Sequence, residues 1–162
     1  MKKVVEPYLI AFDMDGTLLN SKKKISFKTL LLLRKLARQG HHIIISTGRP
    51  PRSIKCYYDQ LKIKDPIVAY NGELVYSPHD PNFKEVRRSI PKDVVLEVLE
   101  KVGKNAINVM CEDEENIWAD TKDDYLANFF WYKGMNAHFG PLKDTLDRET
   151  MTCLIHCPEE YR

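Results

Sequence analysis

Residues 8–19 read YLIAFDMDGTLL: a short apolar run over 8–12, two aspartates, Asp13 and Asp15, and a Gly-Thr turn leading into two leucines. The run is too short for an ordinary helix and passes straight into turn-formers, which predicts a buried strand over residues 8–12. An apolar strand without polar alternation belongs to a parallel sheet covered on both faces, and in open parallel sheets ligands gather beyond the carboxyl ends of the strands. Asp13 and Asp15 therefore stand where chemistry is done. Two carboxylates this close repel each other and need a cation, a proton or donor groups to offset their charge, so the pair points to a divalent metal or to acid–base work. A calcium loop does not fit, because its glycine is the sixth residue and Gly16 is the fourth from Asp13. An ordinary Asp-Gly turn has the same composition; the preceding strand is what argues for a site.

Working outward, residues 20–24 form a polar, basic loop. Ser26 then caps a helix whose apolar positions, Phe27, Leu30, Leu33 and Ala37, recur at helical spacing, with Gly40 as its stop. The run Leu30 to Leu33 is wider than one stripe, so this helix is expected to lie on the sheet with a neighbour covering its flank. Residues 42–46, HIIIS, predict a second buried strand, ending in Thr47-Gly48-Arg49-Pro50. A threonine hydroxyl, amides around Gly48 and a helix start near Pro50 suit a phosphate, although a capped strand-to-helix turn uses the same residues. Two successive strand ends of complementary chemistry favour the phosphate. A helix over 52–61, with Tyr57 and Tyr58 as packing residues, and a third strand over 67–70 complete a strand–helix alternation that predicts an α/β, Rossmann-like fold.

The stretches DMDGTLLNSKKKIS, STGRPPRSI and AYNGELVYS together resemble the haloacid dehalogenase superfamily, specifically its Cof-type, sugar-phosphatase-like branch, closely over residues 8–77. The resemblance implies that Asp13 is a nucleophile and Asp15 an acid–base group. It implies that Thr47, with the amides near Met14 and Gly48, binds the phosphoryl oxygens. Magnesium would be held by the Asp13 carboxylate and the Asp15 backbone carbonyl. The expected protein is a cytoplasmic phosphatase for small phosphorylated metabolites, acting through an aspartyl-phosphate. Two alternatives stand beside it: a phosphomutase or phosphotransferase of the same superfamily, and a catalytically incompetent binding module. Family members carry a further phosphate-binding lysine and a late acidic metal motif. Lys143 and Asp144 do not stand in that context, so the chain is expected to be a fragment that exposes apolar surface and is inactive or weakly active by itself.

The 162 residues carry 25 Lys+Arg against 23 Asp+Glu, a net charge of +2. Residues 1–82 hold 14 basic against 7 acidic residues and 83–162 hold 11 against 16. This asymmetry suits an anionic ligand in the first part. We expect residues 1–82 to form the N-terminal part of the core and 83–162 a partial α+β cap. The latter begins with a ribbon strand returning over 84–90, then a helix from Pro91 to Gly103. Strands over 107–111 and 116–120 follow around an acidic turn, 112–115, then a helix over 123–133 and a last strand over 151–157. Trp118, Phe129, Phe130 and Trp131 are read as core or interface residues. Cys56, Cys111, Cys153 and Cys157 include no C-x-x-C pair and are read as reduced. His156 between the last two is not read as a ligand, and His41 and His42 fall at the strand end opposite the site. No signal peptide, membrane span or nucleic-acid signature is visible.

Overall fold

Strand β1, Leu9–Phe12, is followed by helix α1, Phe27–Gln39, and strand β2, His42–Ser46. Helix α2, Pro51–Leu61, leads to β3, Ile67–Ala69, and then to a ribbon of β4, Leu74–Tyr76, and β5, Val86–Arg87. The computed structural model describes residues 6–123 and 134–161. These first elements form one sheet of order β1-β2-β3-β4-β5, parallel across β1, β2 and β3 and antiparallel from β3 onward. The α/β, Rossmann-like alternation expected from the sequence is what the chain builds.

Local chemistry sets the helix ends. The Ser26 hydroxyl accepts the Thr29 N–H at 3.1 Å, and Gly40 ends α1 in the left-handed region at φ 101°. Pro51 opens α2, where a missing N–H costs nothing. Its end is not a glycine: Lys62 takes φ 56°, and its N–H donates to the Tyr58 carbonyl at 3.2 Å.

Two packing expectations are corrected. β1 alternates exposed and half-buried residues, and Leu9 is 67% exposed, because β1 is the edge strand and among the described residues nothing pairs with its outer side. In α1 only Leu33 is buried; Phe27 is 73% exposed and Leu31 and Leu32 are about half exposed. The neighbour on its flank is α2, which the Arg34 guanidinium reaches by donating to the Gln60 carbonyl, and Leu31 and Leu32 of the leucine run are left exposed. The core beneath is formed by Ile43 and Ile45 of β2, Ile54, Tyr58 and Leu61 of α2, and Ile67. His41 and His42 do lie at the amino end of β2: His41 Nδ1 accepts the Tyr8 N–H, and His42 pairs with Asp65 at 2.7 Å.

The chain divides into two compact units, Met1–Arg87 and Arg88–Arg162. In the second, helix α3, Lys92–Val102, precedes strands β6, Asn108–Glu112, β7, Asn116–Ala119, and β8, Asn136–Phe139. A single helical turn α4, Leu142–Thr145, and strand β9, Thr152–His156, follow. The sheet order is β8-β7-β6-β9, antiparallel except for the parallel pair β7–β8. Trp118 and Cys111 enter a buried cluster with Val95, Val109, Leu142 and Leu146, while Met110, Ile117 and Ala119 are buried on the other face.

Four expectations change here. The ribbon's return strand is only Val86–Arg87. β8 and α4 were not anticipated, because the exposed stretch Asn136–Phe139 has no apolar alternation and α4 is a single turn. Glu112, assigned to a solvated acidic tip, is a buried β6 residue with Thr152 Oγ1 3.5 Å away; the turn starts at Asp113, whose carboxylate accepts the amides of Glu115 and Asn116. The last strand is shorter by one residue at each end. The expected helix over 123–133, with Phe129, Phe130 and Trp131, falls on residues 124–133, outside those described. Cys111 and Cys153 face each other across β6 and β9 as free thiols. Among the described residues no helix is long and apolar enough to cross a membrane.

Candidate active site

The register Phe12↔Ile45 aligns the carboxyl ends of β1 and β2, so residues 13–15 and 47–49 leave the sheet side by side. The turn after β1 closes on itself: the Leu18 N–H donates to the Asp13 carbonyl at 3.2 Å and the Leu19 N–H to the Met14 carbonyl at 2.8 Å. Gly16, at φ 76°, supplies the left-handed step that this reversal needs. The Met14 side chain is fully buried and anchors the turn, leaving Asp13 and Asp15 on its exposed side.

After β2, Thr47 is buried, its N–H donating to the Val68 carbonyl at 3.0 Å, and its hydroxyl accepts the Arg49 N–H at 3.3 Å. The loop after β3 packs on this turn: the Asn71 N–H donates to the Thr47 carbonyl at 3.0 Å and the Tyr70 N–H to the Arg49 carbonyl at 3.2 Å. Gly48 is not in the left-handed region; it is small because a Cβ there would stand 2.9 Å from Asn71 Oδ1.

Asp15 is clamped. Arg49 donates through Nε to Oδ2 at 2.7 Å and through Nη2 to Oδ1 at 2.8 Å, a forked geometry, and Lys23 Nζ reaches Oδ1 at 2.6 Å. The Arg49 hydrogen bonds hold the Asp15 carboxyl far below the usual carboxylate range, against the upward push of burial and with a further contribution from Lys23. The same bonds raise the Arg49 pKa. This is opposite to the raised proton affinity that an acid in the first step requires: with both cations on it, Asp15 is an ionised carboxylate. Asp13 differs. Among the described residues its exposed carboxylate has no basic partner.

A metal finds suitable chemistry here, though not a full cage. Among the described residues no group of three or more His, Cys, Asp or Glu side chains could hold an ion. An exposed, unpaired carboxylate fits magnesium, which keeps several waters and relies on one or two carboxylates plus substrate phosphate.

The sequence reading brought Asp13, Met14, Asp15, Thr47 and Gly48 to adjoining turns. It gave no role to Lys23, Arg49 or Tyr57. Tyr57, read as a packing residue, is half-buried, its hydroxyl donating to the Lys23 carbonyl at 2.9 Å, with the Arg49 guanidinium 5.7 Å from its ring centroid. Two consecutive strand-end loops, one acidic and one carrying an arginine, were the available signal for the Arg49–Asp15 pair.

A family profile described as haloacid dehalogenase-like hydrolase matches residues 10–160. The chain is 38% identical over 156 residues to the 5-amino-6-(5-phospho-D-ribitylamino)uracil phosphatase YitU of Bacillus subtilis (strain 168), covering 96% of this chain and 58% of that protein. It is 31% identical over 102 residues to the pyridoxal phosphate phosphatase YbhA of Escherichia coli (strain K12), covering 62% of this chain and 36% of that one. Among solved structures, a haloacid dehalogenase-like hydrolase from Bacteroides thetaiotaomicron superposes with a TM-score of 0.71 at 25% identity, over 93% of this chain and 58% of that one. The chain thus spans well under two thirds of the length of these relatives.

Proposed function

Because the chain belongs to the haloacid dehalogenase-like hydrolases, we propose that it carries the nucleophile and phosphate cradle of a magnesium-dependent phosphatase of the Cof-type branch, acting on small phosphorylated metabolites. The observation that carries this reading is the contrast between the two aspartates: Asp13 is exposed and unpaired beside the Thr47 turn, whereas Asp15 is held by two cations.

In this reading an Asp13 carboxylate oxygen attacks phosphorus. The phosphorus–oxygen bond to the ester alkoxide breaks, and an acyl phosphate forms on Asp13. Asp15 gives the departing alkoxide its proton, then takes one from the water that attacks the acyl phosphate and frees inorganic phosphate. Since Asp15 is ionised while Arg49 and Lys23 hold it, the step requires those cations to loosen their grip so that the carboxylate takes up a proton from solvent before giving it to the alkoxide. An arriving phosphoryl dianion competes for both. The Thr47 hydroxyl and the amides near Met14 and Gly48 hold its oxygens as preorganised donors. Magnesium, when bound by the Asp13 carboxylate and the Asp15 backbone carbonyl, neutralises charge between nucleophile and phosphoryl group. Residues 1–82 are assigned to the catalytic core and 83–162 to part of a cap.

The test is phosphate release from an aryl phosphate with and without magnesium. Asp13→Asn is expected to lower the rate by about a thousandfold or more. Full activity in Asp13→Asn sinks the nucleophile assignment. A substrate panel should include the phosphorylated ribitylaminouracil and pyridoxal phosphate after which the two relatives are named.

A further inference from the structure

Asp15 is oriented by two cations from different parts of the chain, and one residue of α2 touches both. Lys23 lies in the 20–24 loop, which is closed mainly on Asn20. The Lys23 N–H donates to the Asn20 carbonyl at 2.8 Å and the Asn20 N–H to the Lys24 carbonyl at 3.0 Å. Asn20 Oδ1 accepts the amides of Lys22 at 2.9 Å and Lys24 at 3.1 Å. Lys23 also sits at φ 54°, a left-handed conformation that a side-chain-bearing residue keeps only when its surroundings hold it. The Lys23 side chain is largely exposed, and an exposed lysine of this kind gains little from one carboxylate unless its backbone is already placed.

We propose that Tyr57 is the positioning residue of the Asp15 site: its hydroxyl ties the 20–24 loop to α2 while its ring carries the Arg49 guanidinium, so that both cations meet on one carboxylate. The hydroxyl donates to the carbonyl of Lys23 itself, and the ring lies under the arginine whose fork spans both Asp15 oxygens. The neighbouring Tyr58 does something different. It is buried, and its hydroxyl donates to the Asp65 carbonyl at 2.8 Å, away from the 20–24 loop. Two adjacent tyrosines on one helix thus divide into a brace for the site and a core residue. The inference rests on the acid–base assignment of Asp15, and its test separates the two.

Lys22, Lys23 and Lys24 make the loop a trypsin substrate whenever it opens, and cleavage of a transiently open segment follows the open population when reclosing is fast. The chain, Tyr57→Phe, Tyr57→Leu and, as control, Tyr58→Phe are digested under native conditions. Intact mass follows cleavage after residues 22–24 relative to cleavage after Lys35 and Arg38 of α1. Losing one hydrogen bond in Tyr57→Phe is expected to raise that ratio about three- to tenfold, and losing the ring as well in Tyr57→Leu to raise it further. Tyr58→Phe should lower stability and leave the ratio unchanged. In the phosphate-release assay Tyr57→Phe, by loosening Lys23 from Asp15 as the acid step requires, should raise kcat several-fold with KM within about twofold, the pattern of a group acting on the chemical step. A Tyr57→Phe ratio equal to that of the unaltered chain overturns the brace, as does an opened loop with kcat unchanged. If instead Asp13→Asn matches the unaltered chain while Tyr57→Phe still opens the loop, the brace stands and the phosphatase reading fails.

Discussion

Replacing Gly48 by alanine tests the contact that joins the two turns of the site. The new Cβ would lie 2.9 Å from Oδ1, 3.2 Å from Nδ2 and 3.3 Å from Cγ of Asn71, whereas unstrained carbon contacts sit near 3.5–4.0 Å. All three atoms of the amide are closer than that, so the Asn71 side chain must shift to make room. The backbone of Asn71 cannot retreat freely, because its N–H is bound to the Thr47 carbonyl at 3.0 Å. Overpacking of this kind costs about 1–3 kcal/mol. Gly48 itself has no left-handed backbone to lose, so steric overlap is the whole penalty. Asn71 has φ 58° and ψ 25°, a conformation that glycine adopts readily. In an Asn71→Gly background the obstruction is gone, and Gly48→Ala should be neutral or stabilising by up to about 1 kcal/mol through the unfolded chain. The measurement is urea unfolding of the four chains of the cycle, followed by far-UV circular dichroism. Both tryptophans, Trp118 and Trp131, lie in the second half of the sequence, so their fluorescence reports that half separately. Equal costs for Gly48→Ala in the two backgrounds, meaning no coupling, would refute the steric argument.

Other outcomes follow from burial. Leu33 and Leu32 are adjacent leucines at 2% and 51% exposure, so Leu33→Ala should lower unfolding free energy by about 2–5 kcal/mol and Leu32→Ala by less than about 0.5. Burial, aided by the nearby Asp65, Tyr76 and Asp59 charges, pushes the Tyr58 hydroxyl up to about 12 from an ordinary 10.0. A raised pKa means the folded state keeps a proton that the unfolded chain has lost, so this stability is complete below pH 10 and disappears as pH rises towards 12, to a limit of about 3 kcal/mol. Tyr58→Phe should begin less stable at pH 8 but lose less between pH 10 and 12. Parallel slopes in urea titrations of the two chains would contradict it.

Much of the first unit was legible from short-range physics. Apolar runs of four or five residues become strands, Ser26 and Gly40 bound a helix, and Asp13, Thr47 and Gly48 sit at strand exits because those exits are where turn residues interrupt the apolar pattern. The reading failed where a residue's environment depends on distant chain. β1 is as apolar as a central strand, yet among the described residues it lies at the edge of its sheet and Leu9 is exposed. Glu112 looks like one of four acids in a turn, but the β6–β9 pairing makes it a buried strand residue. β8 has no periodicity to read, because it is recruited by the edge of β7 and not by an apolar face of its own.

The sequence by itself determined the strand–helix alternation and the chemistry available after β1 and β2, because periodicity and turn composition act over a few residues. Only the tertiary structure decided which of the two aspartates is paired with cations. The parallel pairing of β1 with β2 brings Arg49 onto Asp15, the Tyr57 hydroxyl steadies Lys23 beside it, and Asp13 is left unpaired. That distinction depends on distances between residues up to 34 positions apart in the chain, which no local pattern encodes.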